Sequence, residues 1–371
     1  MPIRYRAAVL RAPRTAMTIE DIVAVDLAPT DVLVRMRAAG LCHTDLEVID
    51  GSLRYPLPIV LGHEAAGTVE AVGSAARGVA PGDRVVLSWN PHCGHCYYCD
   101  RDLPILCESY LREGPQALHF DGAPRAHLSA GGELHQLMFL GTFGEYVIVS
   151  DQQAVKVPAE IPFAQACLIG CGVMTGVGGA LNIADINIAD TVMVIGCGAV
   201  GLSAVQGARL ARAARIVAID IDDAKLDLAR RMGATDTVNA KTADPVDAVR
   251  ALTNGRGADV VLEAAGNALT FRQSAEAVRP GGQIVWLGKI DVASDVAFRW
   301  GALMGEKRIR RSSYGGARPA RDFPALARAY LDGTLLLDEL ITRRIRLDEI
   351  NNGFDALRSG QAIRSVVVFD A

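Results

Sequence analysis

The chain has 371 residues, carries 38 Lys and Arg against 42 Asp and Glu for a formal charge of -4, and is half hydrophobic. That length suits two domains, each with its own core, and the mild negative charge, without any basic run, argues against a nucleic-acid surface. The N-terminal MPIRYRAAVLRAP has too short an apolar patch for a signal peptide, and no stretch nears the roughly 18 uninterrupted apolar residues of a membrane span, so the expected location is the cytoplasm, with no membrane partner. In that reducing compartment the eight cysteines are expected as thiols or metal ligands rather than disulfides.

Residues 1–90 alternate short apolar runs with glycine and proline. AAVLRA, DVLVRMRAAG, HEAAGTVEAVG and GDRVVLS read as strands of a β-rich unit. The segment that follows, NPHCGHCYYCDRDLPILC, spaces Cys93, Cys96, Cys99 and Cys107 as C-x2-C-x2-C-x7-C. Four thiolates fill the tetrahedral shell of a zinc ion and leave no position for substrate, so the loop reads as a structural zinc site. Iron–sulfur clusters use similar spacings, but the proline that often follows their last cysteine is replaced here by Glu108. Residues 108–138 are polar and glycine-rich without a clear period, and are expected to form a long surface loop. FGEYVIVSDQQAVKVP returns to strand character.

From about residue 172 the texture changes. VMVIG, RIVAID, ADVVLEA and QIVWLG alternate with the helical stretches LSAVQGARLA, AKLDLARRMG and FRQSAEAV. Strands alternating with helices predict a doubly wound parallel sheet. The first strand runs into G-x-G-x-x-G as Gly196, Gly198 and Gly201. The first glycine permits the tight turn, the second admits the pyrophosphate, and the third lets helix and strand pack closely. The helix N-terminus favours the phosphate charge. Asp220 ends the next strand, 19 residues beyond Gly201. A carboxylate there accepts the ribose hydroxyls and repels a 2′-phosphate, which favours NAD over NADP. Lys225 adds a donor near the same ribose. The pattern stops near residue 314, and the tail, with SVVVFD as a strand, is expected to rejoin the first domain.

Three candidates for a second metal site remain. Cys42 in GLCHTD, His63 in LGHEAAG and Cys171 in IGCGVMTG are unremarkable singly, since a lone cysteine in an apolar run is usually core. Together they offer two thiolates and one imidazole, the donor set of a catalytic zinc that keeps a fourth position open. Cys167 reads as core, and Cys197 as a small filler in the glycine loop.

GLCHTDLEV, LGHEAAGTVEAVG, the CGHCYYC…C loop, GCGVMTG and the glycine fingerprint follow one another in this order. Over essentially the whole chain this resembles the zinc-dependent medium-chain alcohol dehydrogenases, in their two-zinc, NAD-dependent branch. The resemblance implies an α/β protein: a GroES-like β-rich catalytic domain over 1–172, a Rossmann domain over 173–313, and a return to the catalytic domain over 314–371. It implies two zinc ions per chain, NAD, and hydride transfer from an alcohol. Cys42, His63 and Cys171 would hold the catalytic zinc. Glu64 would be a nearby carboxylate, and Asp45 would fix the tautomer of His63. His43 and Arg364 would meet the cofactor phosphates, and Thr175 and Val200 would press on the nicotinamide. Thr44 would pass the substrate proton onward. Trp89 and Phe139 would line the substrate pocket.

Two departures stand out. Relatives often end the proton relay with a histidine three residues after the hydroxyl residue, and Glu47 occupies that place. The glutathione-dependent formaldehyde branch carries an arginine just after the zinc loop. CESYLREGPQALHFDG does not match that segment, although Arg112 lies close, so that activity is not expected. The large, apolar Trp89 favours an uncharged alcohol, aromatic or of medium chain length. The long 108–138 segment goes with a homodimer in this family. Two alternative readings are a nicotinoprotein, which holds NAD through turnover and uses another electron acceptor, and a non-catalytic nucleotide-binding descendant.

Overall fold

A computed structural model describes residues 3–370. The chain divides into two compact units, Met1–Cys171 with Arg318–Ala371, and Gly172–Ala317. The first opens with β1 (Arg4–Leu10), β2 (Thr18–Ala24), β3 (Asp31–Gly40), α1 (His43–Asp50), β4 (Ile59–Val60), β5 (Glu64–Val72) and β6 (Arg84–Leu87). Beyond the cysteine loop come α2 (Glu108–Glu113), β7 (Ala126–Leu128), β8 (His135–Gln136), β9 (Tyr146–Ser150), β10 (Ala154–Lys156) and α3 (Phe163–Leu168). The second unit holds α4 (Met174–Gly178), β11 (Thr191–Ile195), α5 (Ala199–Leu210), β12 (Arg215–Asp220), α6 (Asp223–Met232), β13 (Asp236–Asn239), α7 (Pro245–Leu252), β14 (Ala258–Glu263), α8 (Ala268–Ala277), β15 (Val278–Trp286) and β16 (Arg308–Arg311). The tail supplies α9 (Pro319–Leu331), β17 (Ile341–Ile345), α10 (Ile350–Arg358) and β18 (Arg364–Val368) to the first unit.

The first unit is built on two sheets. One runs β7-β2-β1-β4-β8, the other β10-β6-β5-β3-β18-β17, with β9 also paired to β3. β3 is the hub, and all its residues but Arg35 and Arg37 are buried, which is why DVLVRMRAAG reads as a nearly continuous apolar run. The tail strand β18 pairs antiparallel with β3 through Val366–Gly40 and Val367–Ala39. A strand distant in sequence thus completes the sheet that carries the metal site.

The second unit is one sheet of parallel strands in the order β13-β12-β11-β14-β15-β16. Met193, Ile195, Val217, Ile219, Val261 and Ile284 form its core. Burial of each such side chain contributes about 1.5–3 kcal/mol. Local chemistry sets the helix starts. Asp222 accepts the Ala224 amide ahead of α6, and Asp244 accepts those of Val246 and Asp247 ahead of α7, each cap being worth about 1 kcal/mol.

Two sequence expectations change. The chain leaves the second unit after Ala317 rather than at residue 314. The intervening turn is held there, because the Gly315 amide bonds Ser312 Oγ at 3.0 Å and its carbonyl accepts Asn182 Nδ2 at 3.1 Å. Residues 108–138 are not a structureless loop, since α2, β7 and β8 lie within them. β7 pairs with β2 and β8 with β4, and strands of two or three residues are too short to show a period. The helical run Phe163–Ile183 is long and apolar enough to cross a membrane by length and composition alone. Gln165, Thr175 and Asn182 interrupt its apolar character in sequence, and 78% of its most apolar window is buried inside the protein, as in a core helix.

Candidate metal centre and dinucleotide site

Cys42 is the N-cap of α1, in extended conformation. Its amide donates to Asp45 Oδ2 at 3.1 Å, and the Gly62 amide donates to Asp45 Oδ1 at 2.9 Å. One carboxylate therefore ties the start of α1 to the turn that enters β5. Gly62 makes that turn at φ +96, where a Cβ would fall 2.5 Å from Thr142 Oγ1, so only glycine fits. His63 follows, with Nδ1 3.2 Å from Asp45 Oδ1. That contact leaves Nε2 for the metal, and Nε2 lies 3.3 Å from Cys171 Sγ. Cys171 sits in the π-helical turn Ile169–Val173 that continues α3. π-bulges of this kind recur at functional sites because they re-aim a side chain.

The ligand atoms of Cys42, His63 and Cys171 all lie within 4.8 Å of one another. A tetrahedral zinc with bonds of about 2.0–2.3 Å separates its N and S ligands by roughly 3.5–3.8 Å, so the donor set and spacing fit that ion. Contact with Cys171 Sγ, with the charges of His63 and Arg364, holds the Cys42 thiol well below its ordinary pKa. A deprotonated sulfur is what a metal requires.

Glu64 and Arg364 are buried beside this centre. Arg364 Nε lies 3.2 Å from Glu64 Oε1, and its Nη2 lies 3.9 Å from Cys42 Sγ. The strand order β5-β3-β18 brings them together. Arg364 is only 4% exposed, so the structure places this expected phosphate partner against Glu64 and the cysteine sulfur. His43 is exposed at the start of α1, and Thr44 and Glu47 are half-buried on the same helix.

Cys93, Cys96, Cys99 and Cys107 also converge within 4.8 Å. The Cys93 amide donates to Cys107 Sγ at 3.2 Å, and the Glu108 amide to Cys96 Sγ at 3.5 Å. The Glu108 bond leads the causes that bring the Cys96 thiol down to about 6. Four such donors suit a closed zinc shell. His92 and His95 stand outside the cluster, His95 Nδ1 meeting the Cys93 carbonyl at 2.8 Å.

Trp89 and Phe139 belong to one aromatic cluster. Tyr110 bridges them, its ring centroid 6.3 Å from Trp89 and 5.4 Å from Phe139. His119 and Phe120 pack on Phe139 at 5.9 and 5.3 Å. Sequence reasoning missed Tyr110, His119 and Phe120, because they lie in the 108–138 segment, which has no period to interpret.

In the second unit Gly196 ends β11 at φ +91. A Cβ on Gly201 would fall 1.7 Å from the Gly196 carbonyl oxygen, whereas one on Gly198, the N-cap of α5, would meet nothing within 4 Å. The close helix–strand approach and the open face toward a phosphate are thus both present. Asp220 ends β12, and its Oδ2 accepts the Cys197 amide at 2.6 Å. Its Oδ1 accepts the amides of Ile221 and Asp222. Lys225 is half-buried on α6. Thr175 and Val200 lie on touching helices, since a Cβ on Gly176 would sit 2.2 Å from the Val200 carbonyl oxygen. Cys167 and Cys197 are fully buried.

Two family models match this chain. Residues 28–159 match the alcohol dehydrogenase GroES-like domain, and residues 199–332 the zinc-binding dehydrogenase domain. The S-(hydroxymethyl)glutathione dehydrogenase of Escherichia coli O157:H7 is 36% identical over 98% of this chain and 100% of its own length. This chain belongs to the zinc-dependent medium-chain alcohol dehydrogenases. Its fold is accordingly a GroES-like domain with a Rossmann-like parallel sheet. The benzyl alcohol dehydrogenase of Acinetobacter calcoaceticus superposes with a TM-score of 0.93 at 30% identity, covering 99% of this chain and 100% of that one. A zinc-binding dehydrogenase of Sinorhizobium meliloti, solved bound to NADP, has a TM-score of 0.82 at 28% identity over 99% and 100% of the two chains. As a zinc-dependent alcohol dehydrogenase family member, the protein is an oxidoreductase.

Proposed function

We propose that the protein oxidises an uncharged alcohol, aromatic or of medium chain length, reversibly to the aldehyde or ketone, with NAD as hydride acceptor and two zinc ions per chain. The observation that carries this is the Cys42, His63 and Cys171 set, with Cys42 and His63 buried and Cys171 partly buried, whose three donor atoms fit one ion and leave a fourth position for substrate. A non-catalytic descendant would have no need to keep these ligands together with Asp45. Bound zinc supplies Lewis acidity, and bound NAD accepts the hydride.

The chain's own residues do the rest. Asp45 orients His63 through Nδ1. Thr44 carries the substrate proton away from the ligand end of α1, and Glu47, one turn on, takes it toward solvent. Asp220 selects NAD over NADP by its charge at the end of β12. The NADP-bound relative shares the fold, yet the carboxylate here argues for the unphosphorylated cofactor.

Trp89, Tyr110 and Phe139 supply a ring-lined wall, which favours an aromatic or extended apolar substrate. Glutathione adducts are disfavoured, because Arg112, near the zinc loop, is exposed and bonded to Glu113 at 2.6 Å. β16 is the outermost strand of its sheet and exposed along its length, an edge that pairing in a homodimer would cover. The eight free thiols suit a reducing cytoplasm.

The test is free NADH formation by purified protein given excess NAD and aliphatic, cyclic and benzylic alcohols, with a zinc count. Multiple turnovers with one class and two zinc per chain are expected. Zinc-loaded protein that forms no free NADH with any class would overturn the reading, and NAD retained through purification would then identify a nicotinoprotein.

A further inference from the structure

β14 ends on a carboxylate that the glycine fingerprint does not include. Glu263 is fully buried. Its Oε1 accepts three hydrogen bonds, from the Gly266 amide at 2.7 Å, the Ala265 amide at 3.0 Å and the Thr270 hydroxyl at 2.7 Å. Its backbone carbonyl accepts the amides of Leu287 and Gly288, both at 2.8 Å. The residue therefore grips its own turn with its side chain and the segment after β15 with its main chain.

These turns touch without room for a methyl group. A Cβ on Gly196 would lie 2.9 Å from the Ala265 nitrogen, one on Gly266 would lie 2.4 Å from the Lys289 carbonyl oxygen, and one on Gly288 would lie 2.4 Å from Glu263 Oε2. The fingerprint turn, the turn after β14 and the segment after β15 are packed as one block around the buried carboxylate.

The sheet order says which part of a dinucleotide that block would face. Ligands of such sheets lie outside the carboxyl ends of the strands, where the strand order reverses. Here the reversal falls between β11 and β14. Asp220 on β12 marks the adenosine side. A dinucleotide laid across the edge from there has its other half over β14 and β15.

We propose that Glu263 is a positioning residue for the nicotinamide half of the cofactor, acting through the Ala265–Gly266 turn and the Leu287–Gly288 segment. This rests on the dinucleotide reading above. A carboxylate that merely closed a stable turn would affect folding without distinguishing one half of the ligand from the other.

The experiment measures binding of NAD and of AMP to full-length wild type and Glu263→Gln, alongside thermal unfolding without nucleotide. AMP probes only the adenosine side. Gln keeps the accepting oxygen but turns three charge-assisted hydrogen bonds into neutral ones, so the variant should bind NAD about tenfold more weakly and bind AMP as wild type does. Unchanged NAD affinity overturns the inference, and so does an equal loss for both ligands, which would mean general loosening of the unit. Wild type that binds neither nucleotide overturns the dinucleotide reading and this inference with it. If Glu263→Gln does not fold, Gly288→Ala, which presses a methyl group on Oε2, is judged by the same NAD and AMP criteria.

Discussion

Asp45 and His63 form a buried pair, with Oδ1 3.2 Å from Nδ1 and neither side chain more than 1% exposed. The same carboxylate also takes the Cys42 and Gly62 amides. Asp45 therefore aims the imidazole and joins the two chain segments that carry two of the three ligands. Asp45→Ala should lower zinc affinity at this site by about 10–100-fold, the usual scale for such supporting groups. Chelator competition measures it. Affinity equal to wild type would show that the ligands are held by the strands alone.

On the proposed reading the four-cysteine cluster supports a lobe and takes no part in the reaction. Cys93→Ser should retain one zinc per chain instead of two and unfold at lower temperature. A loss of about 3 kcal/mol corresponds to roughly 6–12 °C for a unit of this size. Below that transition the variant should turn over normally. Normal stability with lost turnover would reverse the assignment.

On the proposed reading Asp220 sets cofactor choice. Its carboxylate already orders the glycine loop through the Cys197 amide, so the variant should keep an acceptor. Asp220→Asn keeps that acceptor and removes the charge. The ratio of kcat/KM with NADP to that with NAD should rise by about tenfold or more, since relief of one like-charge contact is worth over about 1 kcal/mol in a partly buried site. An unchanged ratio would place selection elsewhere.

His119 gives the fold a pH dependence of its own. Burial, helped by the Arg125 charge, pushes its imidazole down to about 3. Unfolded, it takes up a proton below about pH 6.5. Between those values the unfolded chain binds more protons, so stability falls as pH drops through the window, by about 1.4 kcal/mol per unit from this group. His119→Phe, which keeps a ring against Phe139, should flatten the plot of Tm against pH below 6.5 by that amount. Parallel plots for the two proteins would mean that His119 is protonated within the fold.

Some chemistry was legible because it is local. The zinc loop packs its ligands into 15 residues, Cys93 to Cys107, and the glycine turn must adjoin its strand and helix. Cys42, His63 and Cys171 were individually weak, being spread over much of the first unit, and gained meaning only as a set. The aromatic residues of 108–138 carried no signal, because strands as short as β7 and β8 impose no period.

The sequence by itself determined two metal donor sets, the nucleotide turn and the alternation that builds a parallel sheet. Each depends on residue type at a spacing that the backbone can hardly alter. Only the tertiary structure decided that Arg364 faces Glu64 and a cysteine sulfur, that Tyr110 joins Trp89 to Phe139, and that Glu263 is a buried brace. Those depend on which strands become neighbours. Pairing of β18 with β3 and the meeting of turns after β11, β14 and β15 are settled by packing of the whole unit, which no short window of residues contains.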